Sequence, residues 1–217
     1  MRRAAIKDCE SGHSEAASNA AKSLILAAAR AEFASKGLDG ARVNEIAAKA
    51  GVNKQLLYYY FGNKEVLYRA ALEDVYAEIR QQEQALALDG LSPLDAMTAL
   101  IGFSFDYLAS HPEFIGLLNQ ENALGAQMVA QSMRIRQANS PLIALIAQTL
   151  ERGAALGIFR TGVDAVAFYI SMAGMAYFYF SNTPTLSAIF GRDLTHTQAQ
   201  AAYRQHVIDF CLAGLRT

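Results

Sequence analysis

The stretch from Val43 to Phe61 limits the possible folds more than any other part of the chain. Val43, Ile46, Ala47 and Ala50 fall at i, i+3, i+4 and i+7, the spacing of one buried helical face, and Gly51 ends that helix after about two turns. Asn53 then stands where an N-cap belongs, and Leu57 and Phe61 follow at i and i+4 on one face of a second short helix. Two short helices joined by a glycine turn make a helix-turn-helix. The small side chains of Ala47 and Ala50 let the helices cross closely, so the second helix projects outward.

That second helix presents Lys54, Gln55, Tyr58 and Tyr59 opposite Leu57 and Phe61. Lysine neutralises phosphate, an amide side chain can pair with adenine in the major groove, and tyrosine hydroxyls hold the DNA backbone. Leu56 is placed to touch a thymine methyl group. Tyr60 is explained equally well by packing against the next helix. The net charge is −1, yet residues 1–80 carry twelve Lys or Arg against ten Asp or Glu, and the remainder seven against ten. Between residues 41 and 64, Arg42, Lys49, Lys54 and Lys64 face only Glu45, a local basic patch of the kind that meets phosphate.

Helical periodicity continues nearly throughout, without sustained alternation or hairpin turns, so the expected class is all-α. Residues 1–19 show no apolar stripe and are expected to form a flexible arm. A helix follows from about residue 21 to 35, burying Ile25, Ala28, Ala29 and Phe33. Asn63 caps a helix from Lys64 through Leu67, Ala71, Val75 and Ile79, completing a DNA-binding domain over residues 20–80. In residues 81–217, Ser92 and Pro93, with Asp95 at capping-box spacing, start a helix reaching about His111. Further helices are expected over 112–119, 125–136, 141–156 after a Ser140 cap, 163–181 and 197–215.

A hydrophobic fraction of 53% with 18% charged residues excludes a disordered chain. Cys9 and Cys211 form neither a disulfide framework nor a ligand pair, so a reducing compartment is expected. The N-terminal stretch lacks a signal-peptide core, and the apolar run from Val163 to Phe180 is short for a membrane span. The expected location is the cytoplasm. His111, His196 and His206 lack metal-ligand spacing, no His-Glu-x-x-His or Cys-x-x-Cys occurs, and no glycine-rich phosphate loop is present. Neither an enzyme nor a bound cofactor or metal is expected.

The segment from Gly40 to Tyr68 resembles the DNA-binding domain of the TetR/AcrR family of transcriptional regulators. The match lies in Ile46-Ala47, Ala50-Gly51-Val52, Lys54, Leu57-Tyr58, Tyr60-Phe61 and Asn63-Lys64-Glu65. The resemblance implies that Asn44, Lys54, Gln55, Leu56, Tyr58, Tyr59 and Tyr60 approach DNA and that Lys64 binds phosphate. The free N–H groups behind Asn63 favour an anion there independently. Two positions depart from the pattern. Arg42 stands where a threonine N-cap is usual and is read as a phosphate contact in compensation, and Gly62 stands where proline is common. Asn53 completes the expected DNA-side set.

The region from residue 81 onward is rich in large adaptable side chains, most of which a bundle core accounts for. By the same resemblance, some line a pocket for a small-molecule effector: Phe103, Tyr107, Phe168 and Met172, with Glu121 among its polar groups. The last two helices are nearly apolar all round and imply a homodimer through residues 163–217, which would set two recognition helices on a pseudopalindromic operator in double-stranded DNA. The function expected is a repressor released from its operator by an effector. Two alternatives stay open: a DNA-binding architectural protein without ligand control, favoured by a filled second region, and a small helical ligand-binding protein or enzyme, favoured by an absence of salt-dependent DNA binding.

Overall fold

The computed structural model describes residues 2–216, with side chains from residue 16 onward. Among the described residues the regular structure is helical, with no strand. The helices are α1 (Arg2–Gly40), α2 (Val43–Lys49), α3 (Lys54–Phe61), α4 (Lys64–Gln84), α5 (Pro93–Ser110), α6 (Pro112–Ala123), α7 (Gln127–Gln131), α8 (Met133–Ala155), α9 (Ala165–Phe190) and α10 (Thr197–Leu215), with a 3-10 turn at Leu88–Gly90. The all-α class expected from periodicity is the class observed.

The chain forms two compact units, one of residues 1–74 and 116–129 and the other of residues 75–115 and 130–217. This division differs from the expected boundary between residues 80 and 81, since α4 passes between the units at residue 75 and most of α6, from Gly116 on, belongs with the N-terminal unit. Gly116 makes that possible: a Cβ there would sit 2.8 Å from both Cβ and the carbonyl oxygen of Ala34, so only glycine lets α6 lie so close to α1. Ile25, Ala29 and Phe33 of α1 are fully buried with Ile46, Leu57, Leu67 and Tyr68, and the rings of Phe33 and Tyr68 meet edge to face at 4.9 Å. Ala28, expected in that core, is only half-buried. Residues 2–19, expected as an arm, fall within the bounds of α1; alanines at 4, 5, 16, 17 and 20 supply helix propensity that an apolar-stripe criterion does not register.

In the second unit, α5 packs against α8, α9 and α10 around Leu100, Ile101, Ile146, Phe159, Phe168, Met172, Val207 and Ile208. The Ser92 hydroxyl accepts from Asp95 N at 3.2 Å and donates to the Asp95 carboxylate at 2.6 Å, so α5 starts at the expected cap. Ser140-Pro141 starts no helix. Ser132 caps α8 about two turns earlier, accepting from Ile135 N, and Pro141 lies inside it on the exposed side. The proline removes the ladder hydrogen bond to the Gln137 carbonyl, and just N-terminal of it the Asn139 side-chain amide donates to the Ile135 carbonyl at 2.7 Å. Helix α9 likewise continues past the expected end at residue 181, through Pro184, to a left-handed Gly191. His111 and His196 serve as the C-cap of α5 and the N-cap of α10.

Candidate nucleic-acid interface

The frame of the interface is set by one buried carboxylate. Glu32 is 0% exposed, and its two oxygens take Lys36 Nζ and Lys49 Nζ, each at 2.8 Å, while the backbone N–H of Arg42 points to it at 3.4 Å. Burial alone pushes this carboxyl up, but the hydrogen bonds from Lys36, Lys49 and Arg42 N outweigh it and hold it at about 2. Glu32 thereby ties both ends of α2 to α1. Lys49, counted in the basic patch from sequence, is spent on this internal bridge, and Glu45 is paired with Lys36.

Helix α3 starts where the sequence places it. The Asn53 side chain accepts from Leu56 N at 2.7 Å, and Leu57 is fully buried against the frame. At the other end Gly62 has φ +73°, a left-handed conformation closed to proline, so glycine at this departure from the family pattern fits the turn actually made. Asn63 caps α4, accepting from Val66 N at 2.8 Å.

Arg42, Asn44, Asn53, Lys54, Gln55, Tyr58 and Tyr59 are exposed, whereas Leu56, Tyr60 and Lys64 are half-buried. Tyr59 stands out at 81% exposure, more than a tyrosine buried for packing would keep. Tyr60 lies between Tyr59 and Phe61, with ring centroids 5.4 and 6.5 Å away, and carries Lys22 Nζ over its face at 5.3 Å. Lys22, from α1, thus joins the α3 surface, a placement that the local sequence of the helix-turn-helix gives no sign of. Lys54 sits over the ring of Tyr58 at 5.6 Å. Arg42 is the N-cap residue of α2 without a side-chain capping bond. Lys64 Nζ donates to the Asp39 carbonyl at 3.0 Å.

Of the five residues expected at an effector pocket, Glu121 falls in the first unit and Phe103, Tyr107, Phe168 and Met172 in the second. Phe103 tilts against Tyr107 at 5.9 Å, and Tyr107 stacks on His111 at 3.9 Å. Phe168 and Met172 are packed in the core of the second unit. Glu121 belongs to the first unit, where its carboxylate accepts from Met128 N and Val129 N at 3.1 Å; burial, joined by this carboxylate, pushes the pKa of the Tyr68 hydroxyl up. In the second unit Phe168 borders a cavity of about 260 Å³ together with Val163, Ser171, Met175 and Phe210. A cleft of about 700 Å³ is lined by Phe178, Tyr179, Leu186, Phe190, Arg192, Leu194 and Tyr203. Val166, Ile170 and Phe178 expose one stripe of α9, and Phe210 is exposed on α10.

Residues 25–71 match the family model for bacterial regulatory proteins of the tetR family, and residues 93–211 match that for a tetracyclin repressor-like C-terminal domain. The chain is 36% identical over 192 residues to the HTH-type transcriptional repressor NicS of Pseudomonas putida, covering 88% of this chain and 91% of that one. It is 41% identical over 99 residues to the HTH-type transcriptional repressor SCO4008 of Streptomyces coelicolor, covering 46% and 48%. Among solved structures, the transcriptional regulator SCO4942 from Streptomyces coelicolor superposes with a TM-score of 0.65 at 25% identity, over 87% of this chain and 96% of that one. The ketosteroid transcriptional regulator KstR2 of Mycobacterium tuberculosis gives 0.66 at 23% identity, over 90% and 95%, and shares the fold. The chain, with a helix-turn-helix on a clamped frame followed by a helical bundle, belongs to the TetR family of bacterial regulatory proteins.

Proposed function

We propose that this DNA-binding regulator is a repressor that holds operator DNA as a homodimer and lets go when a small molecule binds its second unit. The observation that carries the DNA side is the exposed face of α3, where Lys54, Gln55, Tyr58 and Tyr59 point away from a core that α1 and α2 fix through Glu32. Repression is supported by the names of the relatives, NicS above all. Dimerisation is supported by the apolar stripe Val166, Ile170 and Phe178 with Phe210, which a monomer would leave in water. Effector control is supported by the 700 Å³ cleft, a size at which small-molecule sites are usual. No helix among the described residues is long and apolar enough to cross a membrane, in keeping with work on cytoplasmic DNA. An architectural protein without ligand control, or a small helical carrier, accounts less well for both surfaces together.

Binding-site selection with the purified full chain, followed by titration of the selected duplex, tests the reading. Lys64→Ala should weaken all sequences alike and lower the salt slope by about one per half-site, once Lys64 exchanges the Asp39 carbonyl for phosphate. Gln55→Ala should flatten preference at one position by about 1–3 kcal/mol. No selected sequence, or unaltered preference without Gln55, would remove α3 as the reading helix.

A further inference from the structure

The second half of α4 carries a buried ion pair with open space beside it. The Arg80 and Glu83 side chains, one turn apart, are 6% and 5% exposed. Arg80 Nη1 lies 2.8 Å from Glu83 Oε2, yet the two are not aligned as a hydrogen bond. Arg80 Nε and Nη1 and Glu83 Oε2 therefore have no hydrogen-bond partner among the described residues. Against this pair lies a cleft of about 60 Å³, lined also by Gln84 and by Ala138, Pro141, Leu142 and Leu145 of α8, with Gln84 and Pro141 at its exposed rim.

A guanidinium stays charged however deeply it is buried. Its buried N–H groups require acceptors, and the groups facing it across the cleft are aliphatic. Glu83 balances it incompletely, since burial raises that carboxyl to about 7 against the opposing pull of Arg80. The site thus holds an excess of positive charge and donors on one wall and an apolar surface on the other. A carboxylate on a short apolar tail complements both. Phosphate does not, because a second negative charge would find no second cation among the lining residues.

We propose that this cleft is a binding subsite for a small monocarboxylic acid, whose carboxylate accepts from Arg80 Nε while its short tail lies on Pro141, Leu142 and Leu145. The regulatory meaning of the subsite rests on the effector reading above; the binding itself does not.

The test is a titration of the ¹⁵N-labelled full chain with acetate, propionate and butyrate, and with acetamide, propionamide and butyramide as neutral isosteres, followed at the arginine Nε–H resonances. Arg80 is assigned by the resonance lost in Arg80→Lys. The carboxylates should shift it saturably with a Kd below about 10 mM, tightening by roughly threefold to fourfold per methylene, and the amides should bind at least about tenfold more weakly for want of a charge-assisted contact. Leu145→Phe, which fills the cleft and leaves Arg80 in place, should abolish the shift. Should Arg80→Lys fail to fold, the contrast between acids and amides on the wild-type chain still decides. No saturable shift with any acid, or equal binding of acids and amides, would overturn the subsite. A butyrate shift at Arg80 with unchanged operator affinity would uphold the subsite and sink the effector reading at this position.

Discussion

Replacing Glu32 by Gln should cost the N-terminal unit stability in a pH-dependent way. A carboxyl held at about 2 in the folded chain rather than at its ordinary 4.5 is worth about 3 kcal/mol at neutral pH, at about 1.4 kcal/mol per tenfold change in proton affinity. The carboxylate is wholly buried, but its lysine partners Lys36 and Lys49 are 38% and 52% exposed, and solvent screening on their side brings the figure to about 2 kcal/mol. Gln keeps the volume and one acceptor, so the difference isolates the charge. Because the folded state lowers the carboxyl, its stabilisation is fully present above pH 4.5 and is lost as the pH falls through about 2. Urea unfolding followed by circular dichroism at pH 7 should show a midpoint lowered by roughly 1 M, and the gap between wild type and Glu32→Gln should close between pH 4.5 and 2. Operator affinity should fall as well, since α2 and α3 lose their anchor to α1. A gap under about 0.5 kcal/mol, the range of an exposed ion pair, or one that does not change with pH, would refute the assignment of Glu32 as the clamp.

Ile170→Asp and Phe178→Asp change residues that are 63% and 56% exposed in the protomer, so helicity should be retained while sedimentation reports monomers and operator binding is lost; dimers persisting in both would place the interface elsewhere. Gly116→Ala sets a helix-propensity gain of about 1 kcal/mol against overpacking of about 1–3 kcal/mol. The clash is with the backbone oxygen of Ala34 as well as its methyl group, which no rotamer change relieves, so a net loss in thermal stability is expected, and a stabilised variant would show that α6 has room to retreat.

The helix-turn-helix was legible in the sequence because its determinants are local. Asn53, Gly51 and Leu57 act within a few residues, and their caps, turn and burial are where the spacing puts them. Glu32 was legible in principle, as a charge seven residues after Ile25 and three after Ala29 on the apolar face of α1. Its partners were not, since Lys49 comes from another helix and counts locally as surface charge. Pro141 misleads for a related reason: a proline reads as a helix start, yet packing on both sides of it can carry a helix through, as it also does at Pro184. The aromatic surplus of the second region was visible, but its pairing was not. Phe105 meets Phe180 at 4.8 Å and Tyr179 stacks on Tyr203 at 4.5 Å, so rings from α5, α9 and α10 satisfy one another, and a cleft opens where Leu186, Phe190 and Arg192 adjoin Tyr179 and Tyr203.

Two helices belong to both compact units: α4, which passes from one to the other at residue 75, and α6, which does so at residue 116. The N-terminal end of α4 holds Lys64 against the Asp39 carbonyl, and its C-terminal half holds Arg80 and Glu83. At the N-terminal unit, Gly116 seats α6 on Ala34, two residues from the Glu32 clamp. Under the proposed effector control, a ligand that favours one position of α4 or α6 over another would act on Lys64 and the α1 frame, and would weaken operator binding by its differential affinity for the two positions; about 1–3 kcal/mol of such coupling is a release of about 5- to 150-fold.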